Sequence, residues 1–163
     1  MSSRRRVPHK NRKNACFGCG AANPNGLQLK FQPVSGERRA TVEARTRIPR
    51  RFDGAPHILH GGVVATLLDE AMSKVNAELD LVAVTTRLEV RYRRPVPSSQ
   101  LITIRAYHRT RRKQSLYHAA EIRCAEGRLL AEATGRFHIL SRDVVTRMSD
   151  ALAVRNEQPG ESV

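Results

Sequence analysis

The spacing of apolar residues predicts one long helix near the middle of the chain. From Gly61 to Leu79, apolar side chains recur at intervals of three and four residues, as they do on one face of a helix. No other segment shows this spacing over a comparable length. The positions that follow it are Val63, Val64, Leu67, Leu68, Ala71, Met72, Val75 and Leu79.

Alternating apolar and polar residues predict strands on both sides of this helix. Two strands come before it, at residues 27–34 and 38–47. Residues 48–60 are rich in proline and glycine and are predicted to be an irregular loop. Four strands follow the helix, at about residues 81–95, 99–110, 115–125 and 128–140, the last two joined by a tight hairpin at Ala125-Glu126-Gly127.

The order of two strands, one helix and four strands predicts an α+β protein. An antiparallel β-sheet wrapped around one long central helix satisfies this order with short connections. Such a sheet has free edges and one face that a single helix covers incompletely. We therefore expect the chain to form a homodimer or a homotetramer.

Length and composition favour a small cytoplasmic protein. The 163 residues suit one domain with its own core, and 40% of them are apolar. No apolar run approaches the ~18 residues of a membrane span, and the basic start of the chain has no apolar segment of a secretory signal behind it. The three cysteines are an odd number, which fits a reducing compartment better than a disulfide framework.

The charge of +14 suggests a polyanionic partner. Residues 1–14 carry six basic side chains and no acidic one, and they are predicted to form a disordered tail. The folded domain is expected at residues 15–140, and residues 141–163 are expected to form a C-terminal extension with a short helix and a frayed end. Charge alone leaves three partners open: a nucleotide-bearing ligand such as coenzyme A, nucleic acid, or an anionic membrane surface.

The start of the predicted helix, His60-Gly61-Gly62, is a candidate anion site. Two glycines let a ligand approach the backbone closely, and the first amide groups of a helix are unpaired at the positive end of its dipole. Such donors can hold a carbonyl oxygen as negative charge develops on it. The alternative is structural: the glycines permit a tight turn, and His60 packs or caps the helix.

Asp69 is the candidate catalytic carboxylate on this helix. Asp69 and Glu70 lie on opposite flanks of the apolar stripe, so the helical wheel alone selects neither. Glu70 is expected to form an exposed i, i+4 ion pair with Lys74. Asp69 shares its flank with small, weakly polar residues, where a carboxylate can be partly buried against a ligand and activate water or attack directly. The alternative is that Asp69 is an ordinary solvated carboxylate.

The other polar candidates are weaker. Cys16-x-x-Cys19 has the spacing of half a zinc site, but a structural site needs four ligands, so we predict no metal and a small, buried loop element. A hydroxyl at Thr85 could position water or a thioester, although threonine is common in strands. Arg93 and Arg94 could contact phosphates or form a solvated edge.

Taken together, three motifs resemble the hotdog-fold acyl-CoA thioesterases, and in particular their phenylacetate-pathway-type branch. Their order along the chain, over about residues 14–140, matches that of the family. The motifs are Cys16-Phe17-Gly18-Cys19-Gly20 with Asn23-Pro24-Asn25-Gly26-Leu27, then Phe52-Asp53-Gly54-Ala55-Pro56 continuing through Leu59-His60-Gly61-Gly62 to Asp69, and Tyr92-Arg93-Arg94-Pro95-Val96-Pro97.

The resemblance implies hydrolysis of an acyl-CoA thioester without a cofactor. It places Asp69 on the family's general base or nucleophile, Gly61 on the backbone donor to the thioester carbonyl, and His60 beside it. Thr85 falls on a hydroxyl position that orients water and is expected to face Asp69 from the partner subunit. Gly62 is expected to assist substrate binding. Some members carry an asparagine where this chain has Gly54, so any polar contact from that position is missing.

Two other functions remain open from the sequence. The first is a non-catalytic hotdog protein that binds acyl-CoA, or nucleic acid through its basic surface. No helix-turn-helix or zinc-finger pattern accompanies the charge, which counts against dedicated DNA reading. The second is a hydratase with the same fold, which would need a different set of acid and base groups. Neither the acyl group nor the choice between dimer and tetramer follows from the sequence.

Overall fold

The computed structural model describes residues 14–147. The predicted basic tail lies outside the described residues except for Asn14, and so does the end of the predicted C-terminal extension. Within the extension, a helix begins at residue 142 and continues to the last described residue. The predicted domain limits therefore stay predictions.

The described residues form an antiparallel six-stranded sheet and one long helix. The helix, α1, is Gly61–Glu78, and the sheet order is β1-β2-β6-β7-β8-β5. This confirms the predicted α+β class, with an antiparallel sheet around one central helix. The sheet strands are β1 (Gln32–Pro33), β2 (Thr41–Thr46), β5 (Ala83–Tyr92), β6 (Ile102–Arg112), β7 (Ser115–Cys124) and β8 (Leu129–Ile139), and the short strands β3 (Asp53–Ala55) and β4 (Ile58–Leu59) form a separate two-stranded sheet.

The core lies between α1 and the inner face of the sheet. Alternate residues in the first half of β6 and along β8 are buried, as the pleat of a strand requires, and the apolar stripe of α1 lies against the sheet. The stripe residues Leu67, Leu68, Ala71, Met72 and Val75 are fully buried. The predicted helix is thus confirmed, and its core face is the predicted one.

The predicted strand at residues 27–34 is wrong for most of its length. Only Gln32 and Pro33 pair with β2. The amides of Leu27 and Leu29 instead donate to the carbonyls of Phe17 and Gly18, at 2.7 and 2.9 Å. The alternating pattern therefore reflects two buried leucines that fasten the N-terminal motif, since backbone pairing with a loop uses the same extended conformation as pairing with a strand.

The predicted irregular loop at residues 48–60 contains short regular elements. It forms a 3₁₀ helix, Arg50–Phe52, followed by the hairpin β3–β4. Elements of two or three residues are too short to produce a periodic signal in the sequence. The hairpin leads directly into the start of α1, so it positions His60.

No helix among residues 14–147 is long and apolar enough to cross a membrane.

Candidate active site

His60 is the N-cap of α1 and fixes the geometry of the helix start. Its ring nitrogen Nδ1 accepts a hydrogen bond from the amide of Gly62 at 3.0 Å. This contact satisfies one of the orphan amides of the first turn. Within residues 14–147 no acceptor contacts the amide of Gly61. His60 therefore has the structural role that sequence reasoning left open, while Gly61 keeps a free donor at the positive end of the helix dipole.

Gly54 is required by the close approach of β3 to His60. A Cβ atom at Gly54 would lie 2.9 Å from the Cα of His60 and 3.2 Å from its Cδ2. Any side chain at this position would push the hairpin away from the helix start. This packing leaves no room for the asparagine that the resemblance implies at this position in some members of the family.

A cleft of about 320 Å³ opens at the N-terminus of α1. Gly61, predicted to contact the thioester carbonyl, and Arg93 and Arg94, predicted to bind substrate, all contribute to its lining. Gly62, also predicted to bind substrate, is not part of this lining, and its amide donates to His60 instead. Arg93 is also paired with Glu132, and Arg94 donates to the carbonyl of Leu129 at 3.1 Å. These partners hold the two guanidinium groups at the rim while leaving them exposed.

Tyr92 belongs to the same cleft, and sequence reasoning assigned it no role. Its hydroxyl donates to the carbonyl oxygen of Gly61 at 2.9 Å. This bond ties the end of β5 to the first turn of α1, at the residue whose amide is free. In the sequence, the one feature that pointed to Tyr92 was its place in the motif that continues through Arg93. Nothing in the neighbouring residues distinguished its hydroxyl from that of an ordinary tyrosine in a strand.

Asp69 and Thr85 form the second part of the site. The Thr85 hydroxyl donates to Oδ1 of Asp69 at 2.9 Å. Both residues belong to the same chain, so the expectation that Thr85 faces Asp69 from the partner subunit is wrong for this contact. The register of β5 against β8 shifts between Thr85 and Arg87. Such a bulge re-aims neighbouring side chains, and it lies directly beside Thr85.

The environment of Asp69 raises the pKa of its carboxyl group. Burial raises the pKa of the Asp69 carboxyl above its usual value, the hydrogen bond from Thr85 lowers it, and the negative charge of Glu70 raises it further. No cation is paired with Asp69 in the described part of the chain. A half-buried carboxylate without a counter-ion is the state that general bases and nucleophiles require.

Glu70, the neighbour of Asp69 on α1, is paired with a cation. Its carboxylate pairs with Lys74 at 2.9 Å, which confirms the predicted i, i+4 pair. The predicted solvent exposure is wrong, because the side chains of Lys74 and Glu70 are only 25% and 14% exposed. The turn that carries Cys16 and Cys19 covers them. The predicted buried loop element is also only partly right, since Cys16 is exposed and Cys19 is half-buried.

The two parts of the site are separated along α1. Gly61 and Asp69 are eight positions apart, which corresponds to about 12 Å along a helix. Strand β5, which carries Thr85, lies at one edge of the sheet. Beside Thr85, the side chains of Val82 and Val84 are each 42% exposed. The fold and the site thus define a protein with an antiparallel sheet around one helix, a free amide at the helix start, and an unpaired carboxylate next to an uncovered edge.

Comparison with known proteins agrees with this class. The family model of the Thioesterase superfamily matches residues 57–131, which include the start of α1, Asp69 and Thr85. A crystal structure of a thioesterase superfamily protein superposes with a TM-score of 0.67 at 26% identity and covers 72% of this chain and 60% of that one. Over residues 57–131 the chain is similar to the thioesterase superfamily, and the described residues have the hotdog fold of these proteins, as the three motifs suggested.

Other similar proteins have activities or ligands of their own. Acyl-coenzyme A thioesterase THEM4 from Bos taurus is 29% identical over 87 residues, which are 53% of this chain. The match spans only 35% of that relative's length. A hypothetical thioesterase from Streptococcus pneumoniae, solved with coenzyme A, superposes with a TM-score of 0.62 at 20% identity and covers 69% of this chain and 87% of that one. The PaaI protein of the E. coli phenylacetic acid degradation operon has a TM-score of 0.61 at 20% identity and covers 69% and 83%.

Proposed function

We propose that the protein is an acyl-CoA thioesterase, which hydrolyses an acyl-CoA thioester to a free acid and coenzyme A. The observation that carries this proposal is the Asp69 carboxylate: half-buried, without a counter-ion, and oriented by the Thr85 hydroxyl. It lies on the helix whose first amide is free to bind a carbonyl oxygen. This pairing of a base with an amide donor is the minimum that thioester hydrolysis needs.

The reaction follows from these two groups. The Gly61 amide donates to the thioester carbonyl oxygen and stabilises the negative charge that develops when the carbon is attacked. Asp69 either takes a proton from the attacking water or attacks the carbonyl carbon itself. When Asp69 acts as the base, it passes the proton it has taken to the sulfur as the C–S bond breaks, so that the free acid and the coenzyme A thiol are released together. When Asp69 attacks the carbon itself, the departing thiolate takes its proton from solvent, and a water molecule then hydrolyses the acyl–Asp69 anhydride to the free acid. Thr85 keeps one carboxylate oxygen in place, so the other is free to react.

The separation of Gly61 from Asp69 supports an active site shared between two copies of the chain. A thioester carbonyl cannot contact both groups of one chain across about 12 Å. The uncovered edge of β5 and its exposed valines adjoin the Asp69–Thr85 pair, which supports contact with a second copy there. We infer that Gly61 of one chain and Asp69 of the other act on the same substrate in a cytoplasmic homo-oligomer.

The arginines at the cleft rim support binding of coenzyme A. Arg93 and Arg94 present exposed guanidinium groups beside the Gly61 amide. Guanidinium groups form strong, charge-assisted hydrogen bonds with phosphates. The Streptococcus pneumoniae neighbour was solved with coenzyme A, and a Streptococcus mutans neighbour with acetyl-CoA. Those ligands belong to the neighbours, and they make coenzyme A the first ligand to try on this chain.

The Streptococcus pneumoniae protein adds a parallel. It was also solved as two variants, one with an aspartate and one with a threonine replaced by alanine. The replaced residues are 16 positions apart in that protein. Asp69 and Thr85 are separated by the same 16 positions.

A substrate panel tests the activity. The purified protein is assayed with straight-chain acyl-CoAs of increasing length and with aryl-CoAs, and the release of free thiol is measured. We expect hydrolysis of at least one class, and a loss on the order of 10²- to 10⁴-fold in kcat for Asp69→Asn. Equal rates for both proteins on every substrate would show that Asp69 is not the catalyst. Enoyl-CoA in the same panel separates a hydratase from a thioesterase.

Mixed dimers test the shared site. Asp69→Asn and Gly61→Val are co-expressed with different tags, and the mixed dimer is isolated. A shared site leaves one of the two sites intact, so we expect about half of the wild-type activity to return. A site contained in one chain predicts no recovery. Neither homodimer alone should show activity, which provides the internal control.

An arginine-lined cleft favours a second function, the binding of a larger polyanion. This cleft, of about 640 Å³, is lined by Arg39, Arg87, Arg109, Arg112 and Arg136 among others. Arg136 precedes the buried Phe137, so its side chain points away from α1. Binding of a labelled oligonucleotide at increasing salt tests this function. A tight, steeply salt-dependent complex without any acyl-CoA turnover would favour it over the thioesterase.

A further inference from the structure

The turn at residues 16–20 forms a group of metal-ligating side chains together with α1. The Sγ atoms of Cys16 and Cys19 and a carboxylate oxygen of Glu70 all lie within 4.8 Å of one another. Cys16 Sγ is 3.9 Å from Glu70 Oε2. Ligand atoms around a tetrahedral Zn²⁺ are about 3.6 to 3.8 Å apart, given typical bond lengths of about 2.1 to 2.3 Å. The three atoms therefore need only small side-chain movements to reach coordination distance.

The turn is built to admit the glutamate. A Cβ atom at Gly18, between the two cysteines, would lie 2.4 Å from Glu70 Oε2. Glycine leaves room for the carboxylate at this point, where any side chain would require the Glu70 carboxyl group to shift. The amide of Leu29 donates to the Gly18 carbonyl at 2.9 Å, which fixes the turn from its other side. The contact between the turn and Glu70 is thus a constraint on the sequence of the motif.

Lys74 supplies the positive charge in the group. Its ammonium nitrogen lies 2.9 Å from Cys19 Sγ and 2.9 Å from Glu70 Oε1. A single cation thus bridges two of the three ligand side chains. Lys74 has a flexible stem, so its ammonium can move toward solvent when another cation takes its position.

We propose that Cys16, Cys19 and Glu70 form a site for Zn²⁺ or a similar thiolate-binding cation, in which the Lys74 ammonium occupies the cation position until the metal displaces it. Two thiolates and one carboxylate are a donor set that Zn²⁺ accepts, and water completes the tetrahedron on the side where Cys16 is exposed. The sequence alone indicated too few ligands, because Glu70 lies more than fifty positions from either cysteine. The proposal does not depend on hydrolysis of acyl-CoA.

The chain offers a matched set of variants. Cys16→Ser, Cys19→Ser and Glu70→Gln each remove one ligand, while Lys74→Met removes the competing cation. Cys124→Ser is the control, because Cys124 is a free cysteine outside the group. Each variant is prepared without a histidine tag, stripped with a chelator, and titrated with Zn²⁺ against a chromophoric competitor. Co²⁺ in place of Zn²⁺ reports thiolate coordination through its charge-transfer absorption.

We expect one Zn²⁺ per chain, with proton release on binding because the thiols must ionise. Cys16→Ser and Cys19→Ser should each weaken the affinity by on the order of 100-fold and Glu70→Gln by about tenfold. Lys74→Met should tighten it by about tenfold, and Cys124→Ser should leave it unchanged. No binding at this stoichiometry, or equal effects of Cys124→Ser and Cys16→Ser, would overturn the site. A Lys74→Met variant that binds no tighter would overturn the displacement.

Alkylation of the wild-type protein tests the same proposal without a variant. Cys16, Cys19 and Cys124 are labelled with iodoacetamide with and without Zn²⁺, and each site is quantified by peptide mass spectrometry. We expect Zn²⁺ to slow labelling of Cys16 and Cys19 at least tenfold relative to Cys124, because coordinated thiolates are not free to react. Equal protection of all three cysteines, or of none, contradicts the proposal.

Discussion

Asp69 and Glu70 are neighbours on one helix, yet their surroundings differ in almost every respect. Asp69 faces the edge strand β5 and accepts a hydrogen bond from Thr85, and no cation from residues 14–147 is paired with it. Glu70 faces the N-terminal turn, pairs with Lys74, and lies against two cysteines. The Asp69 pKa is raised mainly by burial. The Asp69 carboxylate, which lacks a counter-ion, is free to react with a substrate. The Glu70 carboxylate, which is paired with Lys74 beneath the cysteine turn, instead holds that turn in place.

The comparison is sharpest in a matched pair of substitutions. Asp69→Asn and Glu70→Gln each replace a carboxylate with the isosteric amide on the same helix. We expect Asp69→Asn to lower kcat by on the order of 10²- to 10⁴-fold, because the base or nucleophile is lost. Glu70→Gln should change kcat less than about threefold. Steady-state acyl-CoA hydrolysis measures both, and a reversed order of the two effects would assign the catalytic role to Glu70.

A third polar residue of the same helix, Asn76, shows what full burial does. Its Oδ1 is 2.8 Å from Nε2 of His118, which is itself 3.2 Å from His108. Burial lowers the pKa of His118 to about 4, and the neighbouring His108 lowers it as well. Unlike Asp69, the His118 side chain is fully buried, with 0% of its surface exposed. Burial therefore favours the neutral form of the His118 imidazole.

The stability of this buried pair should depend on pH. The unfolded chain binds a proton at His118 near its ordinary pKa of 6.5, whereas the folded chain does not until about pH 4. Stability is thus complete above pH 6.5 and falls as the pH drops toward 4, by at most about 3 kcal/mol. Urea unfolding at a series of pH values measures it. In His118→Gln the loss of unfolding free energy at low pH should be smaller by that amount. If this loss is unchanged, His118 does not cause it.

Thr85→Val removes the one hydrogen bond that orients Asp69. Because the hydroxyl lowers the Asp69 pKa, its loss should move the acidic limb of the kcat/KM profile to higher pH. The rate at the plateau should fall about tenfold, since the carboxylate is less well positioned. Thr86→Val is the control, because the Thr86 hydroxyl bonds the carbonyl of Arg136 instead. An acidic limb that does not move would mean that Thr85 acts on something other than Asp69.

The smallest effect is expected on the Glu70 side. The Glu70–Lys74 pair is partly buried, so a double-mutant cycle of Glu70→Gln and Lys74→Met should give a coupling of about 1 kcal/mol in the free energy of unfolding. Chemical denaturation in the presence of a chelator measures it. A coupling energy indistinguishable from zero would show that the Glu70–Lys74 pair does not stabilise the attachment of the turn. The difference between Asp69 and Glu70 would then be seen only in their effects on catalysis.

The sequence by itself determined the elements whose patterns are local. The helix Gly61–Glu78 and the four long strands after it follow from periodicity, because a helix or strand buries one face of a continuous segment. The glycines at the helix start followed in the same way, since a free amide at a helix N-terminus is a property of the helix itself. The periodic pattern gave the wrong prediction at residues 27–30, where the backbone pairs with the distant N-terminal motif instead of a strand. It also missed the hairpin β3–β4, whose strands are too short to produce a periodic signal.

Only the tertiary structure decided which polar side chains meet. Thr85 reaches Asp69 through the position and bulge of β5. Glu70 contacts Cys16, which is 54 positions away in the sequence. Position 54 packs so closely against the backbone of His60 that a Cβ atom there would clash with it. The physical reason is that a helical wheel places a residue on a flank but does not show what covers that flank. Asp69 and Glu70 are alike in the sequence, and the fold made them different by placing an edge strand beside one and a cysteine turn over the other.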